Sequence, residues 1–220
     1  MTTITTPRAS PKLAPNKWLV VLDLETTLGL NVPWYEKEII EVRAVVICVT
    51  SRRRIAEFHE YVRPSTYTAP LDNLCTQLTG VTQADVDHAP EFRRVLQQLV
   101  AFYEPYVCGG IVVTVDAWDA ATMLPAQCSR LELDVPPFLR RYLTLRDVFA
   151  DAHGSRPADV PAMLYHIGMP LESYYTTGID YGRVLADIVL HLLSEKCIFE
   201  TESQRKYRVY LEAKTAAKPN

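Results

Sequence analysis

The sequence predicts one α/β domain, on three observations. Trp18-Leu-Val-Val-Leu-Asp-Leu-Glu25 is a short aliphatic run of the kind a buried central strand requires. Val107 to Val115 is apolar and rich in β-branched residues, and it leads at once into a helical pattern from Trp118 to about Leu131, which makes a strand-to-helix unit. The 220 residues, 48% hydrophobic and 22% charged, are enough to bury one full core and exclude disorder as the main state. Eight glycines and fifteen prolines exclude a collagen-like chain, and no apolar run approaches the roughly 18 residues that cross a bilayer.

Taken in order, residues 1–17 are rich in Thr, Ser and Pro, and no acid precedes Asp23. That composition suits an organellar transit peptide, but Pro7, Pro11 and Pro15 would interrupt the amphipathic helix such peptides need, so a flexible tail is expected. The first strand follows, then a loop from Thr26 to Tyr35 and a second strand over Ile39 to Thr50. Ser51-Arg-Arg-Arg54 turns the chain into a third strand, Ile55 to Val62, completing a hairpin. Pro64 to Pro70 reads as loop, Leu71 to Leu78 as a short helix closed by Gly80, and Pro90 to Tyr103 as an amphipathic helix with Phe92, Val95, Leu96, Leu99 and Val100 on one stripe. A short strand or helix near Tyr142 to Phe149, a helix from Val160 to Ile167 and a longer one from about Tyr181 to Ser194 complete a domain over residues 18–198. Residues 199–220 are polar and basic and read as a tail that docks or stays mobile.

Cys48, Cys75, Cys108, Cys128 and Cys197 are odd in number and contain no CxxC pair, which points to neither a zinc site nor a disulfide framework. Cys48, Cys75 and Cys108 lie in apolar runs as small hydrophobes, so a reducing intracellular compartment is expected. The net charge of −3 gives no general attraction to polyanions. Any nucleic-acid contact must therefore come from a local patch: Arg52, Arg53, Arg54, Arg93, Arg94, Arg140, Arg141, Arg146, Lys206 and Arg208 could supply charge, and Tyr174 and Tyr175 could stack on bases. Equally, the charges could be solvated surface and the tyrosines core. His166, in an apolar helix, reads as a packed side chain.

Asp23 and Glu25 stand two apart at the end of the first strand, so strand periodicity puts both carboxylates on one face. Such a pair needs compensation, which a divalent cation commonly supplies; the other reading is a solvated loop start. Asp119 falls at the first turn after the Val107–Val115 strand, where it either joins the same sheet edge or serves the helix dipole beside a capping Asp116.

Several motifs carry a resemblance. V-L-D-L-E-T-T at 21–27, E-I-I-E-V at 38–42, E-Y-V-R-P at 60–64, L-C-T-Q-L-T-G-V-T-Q-A-D-V-D-H-A-P at 74–90 and W-D-A-A-T-M-L-P-A-Q-C at 118–128 together resemble the DEDDh 3′–5′ exonucleases, most nearly the Eri-like RNA exonucleases, from about Trp18 to Lys196. The resemblance implies a ribonuclease-H-like α/β fold, a five-stranded mixed sheet flanked by helices. It implies that Asp23, Glu25 and Asp119 hold Mg²⁺ or Mn²⁺, if any metal binds. It also implies that Leu78, Thr79, Gly80 and Val81 pack against the 3′-terminal nucleotide of RNA.

The chain departs from the family at its third motif, where a His general base and, five residues on, an Asp metal ligand begin the last helix. T-T-G-I-D-Y-G-R-V-L-A at 176–186 places Thr176 and Tyr181 at those two positions. Asp180 substitutes only if the helix start shifts, Asp187 lies too far along, and no histidine falls in register. A missing base costs about 10²–10⁴ in rate, and a lost carboxylate ligand at least roughly 10–100-fold in metal affinity. The expectation is a catalytically degenerate exonuclease-like protein, a pseudoenzyme binding RNA or a protein within an RNA-processing assembly, with no membrane partner. The alternatives are an active metal-dependent 3′–5′ RNA exonuclease with an altered third motif, and a purely protein-binding module.

Overall fold

The computed structural model describes residues 16–29, 33–65 and 70–216. They divide into two compact units: Asn16–Phe199, and a smaller one that holds the helix Glu202–Ala216. The main unit is built on a five-stranded sheet in the order β3-β2-β1-β4-β5, with β1 Trp18–Thr26, β2 Ile39–Cys48, β3 Arg53–Tyr61, β4 Gly110–Thr114 and β5 Tyr142–Thr144. β1 pairs antiparallel with β2 and parallel with β4, so the sheet is mixed. This is the five-stranded, helix-flanked ribonuclease-H-like arrangement the motifs imply.

Alternation along the strands sorts the core into two layers. Even-numbered residues of β1 and β2, among them Val20, Leu22, Ala44 and Val46, pack on α3 (Phe92–Tyr103) and α4 (Leu124–Arg130) through Val95, Leu96, Leu99 and Leu124. Odd-numbered residues, Leu19, Val21, Val45 and Ile47, pack on α5 (Leu145–His153), α6 (Val160–His166) and α7 (Ile179–Ser194) through Phe149, Met163, Leu185 and Val189. Asp23, Glu25, Glu41 and Arg43 share the odd parity, and so continue the face that α7 covers. At Gly182 α7 packs on β2: a Cβ there would make ordinary contact with Val45 Cγ2 at 3.5 Å and Arg43 Cβ at 3.6 Å.

Several elements depart from the sequence reading. β4 begins at Gly110, because the chain turns through Val107–Gly109; Val107 and Cys108 are consequently exposed, and Cys108 is not the buried thiol expected of an apolar run. Cys75 and Cys128 are buried, and all five thiols are free. Val100 sits at the exposed margin of its helix stripe. The segment near Tyr142 to Phe149 is both things in turn, β5 and then α5, with Thr144 accepting from the Asp147 amide as the helix cap. Between α1 (Asn73–Thr79) and α3 lies α2 (Gln83–Asp87), too short for a periodic signal but fixed by a capping box of Thr82 and Asp85. His166 is exposed, its ring 4.4 Å from that of His153, rather than packed in the core.

Phe199 belongs to the core of the main unit, its carbonyl accepting from the Asn16 amide at 2.8 Å. Beyond it, where a tail is expected, lies α8 (Glu202–Ala216), steadied by Arg208 bound to Glu200 and Glu212. Most of the expected N-terminal tail falls outside the described residues. Among the described residues, no helix is long and apolar enough to cross a membrane.

Candidate active site

The end of β1 carries Asp23 and Glu25 to one side of the sheet. The β1–β2 register sets Asp23 opposite Arg43 and Glu25 opposite Glu41, while β3 brings His59 opposite Arg43. Because all these residues project to the face under the start of α7, three strands form a continuous polar row beneath one helix. Asp119, in the single wide helical turn Trp118–Met123 that follows β4, joins the row from the other side. Asp116 accepts from the Trp118 amide at 2.7 Å just before that turn, whose cap position is Ala117 with no side-chain cap bond, so the capping role expected of Asp116 is not filled.

Arg43 organises the cluster. It is 2% exposed; its Nη1 donates to Asp23 Oδ2 at 2.6 Å, and its Nη2 to Glu25 Oε1 at 3.0 Å and Glu41 Oε2 at 2.5 Å. The second oxygen of Glu41, which is wholly buried, lies 2.5 Å from His59 Nε2. The Tyr181 ring faces the guanidinium, its centroid 5.4 Å from Arg43 Cζ, and is itself met edge-on by Tyr174.

Burial dominates the protonation of these acids. It raises Asp23 against the opposing charge of Arg43. It pushes Glu25 up to about 8, helped by the charge of Asp23. Asp119 is held well above the carboxylate range by burial and then by the charges of Asp23, Asp116 and Glu25. Glu41 runs the other way: burial would raise it, but hydrogen bonds from His59 and Arg43 together bring it below its ordinary value. The Tyr181 phenol is driven far up by burial and by Asp23, so it stays neutral.

A cleft opens beside Asp23, Glu25 and Arg43. Thr176 and Tyr181 both line it, with Leu78, Thr79 and Gly80 across from them, around a volume of about 410 Å³. Helix α7 begins at Ile179, two residues before the expected start, after Gly178 in a left-handed conformation at φ 59°. The shift does not bring Asp180 to the acids. Asp180 is exposed and bound to Arg183 at 2.7 Å, one turn along the outer face, and Asp187 is paired with Arg54. Gly80 closes α1 at φ 76°, and a Cβ there would meet Thr177 Cγ2 at 2.3 Å, so only glycine allows the two walls to come this close. Thr79 is buried and donates to the Cys75 carbonyl, while Leu78 is exposed at the rim.

The acids present do not fit a divalent ion. One oxygen each of Asp23 and Glu25 accepts from Arg43, and no group of three or more His, Cys, Asp or Glu side chains among the described residues is arranged to hold a metal. Glu41, Arg43 and His59 were not legible as site residues from their positions alone. The available signal was a lone arginine inside the apolar run I-I-E-V-R-A-V-V-I-C, since a charge in a buried strand must find partners.

Arg93, Arg140 and Arg146 donate to backbone carbonyls, and Arg54, Lys206 and Arg208 pair with acids. Of the two candidate stacking tyrosines, Tyr174 is at the cleft, and the Tyr175 side chain lies outside the described residues.

Comparison with known proteins gives a consistent result. The model of the RNase T exonuclease family matches residues 20–171. The 3′–5′ exonuclease eri1 of Schizosaccharomyces pombe is 28% identical over 211 residues, covering 84% of this chain and 70% of the yeast protein. Human ERI1 exoribonuclease 3 is 30% identical over 199 residues, covering 85% of this chain and 57% of the human one. The solved nuclease domain of 3′hExo, a DEDDh family member bound to rAMP, superposes with a TM-score of 0.76 at 26% identity, covering 84% of this chain and 98% of that domain.

Proposed function

Because the chain belongs to the RNase T exonuclease family, we propose that it is a catalytically degenerate 3′–5′ exonuclease that uses the family's cleft to bind RNA, as a component of an RNA-processing assembly. The observation that carries this reading is the pair Thr176 and Tyr181, which line the cleft where a general base and a carboxylate are needed. A threonine hydroxyl takes no proton near neutral pH, and the neutral Tyr181 phenol offers no carboxylate. No nearby acid makes good the loss, because Asp180 is bound outward to Arg183.

RNA as the ligand is supported by the exoribonuclease names of the relatives and by the ribonucleotide held by the 3′hExo domain. The cleft retains what end-binding requires: an exposed Leu78 at the rim, the close Gly80 wall, and aromatic faces at Tyr174 and Tyr181. The convergence of Asp23, Glu25 and Asp119 favours the second reading, an active nuclease with an altered motif.

The test is short single-stranded RNA followed by fluorescence anisotropy and by gel, with magnesium and with EDTA. Binding that persists in EDTA, weakens with salt and leaves the RNA intact supports the proposal; magnesium-dependent shortening from the 3′ end overturns it.

A further inference from the structure

We infer that Arg43 is a tethered cation standing in place of the family's divalent ions, so that this cleft is built to work without metal. The inference rests on the proposed loss of nuclease chemistry and gives it a physical basis other than the third motif.

Four carboxyl groups, Asp23, Glu25, Glu41 and Asp119, lie close together at this end of the sheet, and each that ionises there is stabilised by positive charge beside it. A resident ion would supply that charge from solution. Arg43 supplies it from the chain, and its planar fork distributes donors to three acids at once: Asp23 at 2.6 Å, Glu25 at 3.0 Å and Glu41 at 2.5 Å. Those donors engage one oxygen each of Asp23, Glu25 and Glu41, and they set a fixed positive charge among the acids that a metal would share. An incoming divalent ion would therefore have to compete with charge-assisted bonds and sit beside a like charge that has nowhere to go.

The cation is also locked in position. The Tyr181 ring faces it with its centroid 5.4 Å from Cζ, α7 packs at Gly182 over the Arg43 stem, and the part-buried His59–Glu41 contact holds the far end of the row. Tyr181 is thus more than a missing ligand: the ring that replaces a carboxylate is the one that stacks over the guanidinium.

The test is thermal melting of the full chain against millimolar Mn²⁺ and Mg²⁺, for the wild type, Arg43→Ala and Arg43→Gln, each read from its own metal-free baseline. The wild type is expected to show no shift that depends on Asp23. The Arg43 variants are expected to gain a rise of about 3–6 °C at metal tenfold above its Kd, abolished when Asp23→Asn is added. A wild-type shift that Asp23→Asn removes overturns the inference. Folded Arg43 variants that gain no shift also overturn it, yet leave the proposed inactivity standing, whereas wild-type RNA trimming would overturn that proposal instead. Should neither variant fold, calorimetric titration of the wild type with Mn²⁺ decides: Asp23-dependent heat overturns the inference, and its absence supports it.

Discussion

Asp23 and Arg43 face each other across the β1–β2 pair, and a 2.6 Å contact joins carboxylate to guanidinium at the cleft that Thr176 and Tyr181 line. Their pairing couples the chemistry of the cleft to the stability of the fold, and each consequence can be measured.

Restoring the third motif alone will not restore activity. Thr176→His with Tyr181→Asp returns the base and the carboxylate but leaves Arg43 among the acids. Trimming of a 5′-labelled RNA by this double variant is expected to stay at background, and adding Arg43→Ala is expected to raise it at least about tenfold. Activity in the double variant would show that Arg43 does not obstruct metal.

Glu41 is the joint between Arg43 and His59, and it is fully buried. Glu41→Ala leaves the guanidinium with two partners in place of three, and breaking a buried pair in this way is expected to cost about 3 kcal/mol. Urea unfolding measures it; a loss below about 1 kcal/mol, the value of an exposed pair, would contradict the network.

Glu25 makes the fold sensitive to pH in a stated direction. Its folded carboxyl holds a proton up to about 8, whereas an unfolded glutamate loses it near 4.5. Between those values unfolding releases a proton, so this residue's contribution to stability falls as pH rises through the window and levels off above it. Asp23 and Asp119 act in the same sense, and Glu41, held below its ordinary value, acts in the opposite one as pH drops through the acid range. Glu25→Gln is expected to flatten the decline between pH 5 and 8 relative to wild type, read by melting temperature.

Gly80 holds a left-handed turn against Thr177. Gly80→Ala is expected to destabilise the protein by about 1 kcal/mol or more, from backbone strain and the clash together, and to weaken RNA binding by spreading the cleft. Thr177→Ser in that background removes the Cγ2 contact but keeps the Cβ at 2.8 Å, so it should recover only part of the clash. Unchanged RNA affinity in Gly80→Ala would remove this wall from the binding site.

What could be read from the sequence followed from local chemistry. β1 was legible because an aliphatic run declares itself, and Asp23 and Glu25 because a period of two needs no partner to be recognised. Thr176 and Tyr181 line the cleft although α7 starts two residues early, so motif spacing locates them near the acids without settling their role. Arg43 was not, because its meaning lies in the cross-strand register that sets it opposite Asp23, and that register is settled by turn geometry and packing rather than by neighbours in the chain. The helix α2 and the strand β5, five and three residues long, are too short to show a period. Cys108 was misread because an apolar run says nothing of the turn that exposes its first residues.

The most direct measurement is the fate of a 5′-labelled single-stranded RNA incubated with the purified chain in magnesium and in manganese, beside Asp23→Asn. The account predicts full-length RNA in every lane, wild type and variant alike. Progressive shortening from the 3′ end by the wild type, absent in Asp23→Asn, would contradict it and establish an active exonuclease.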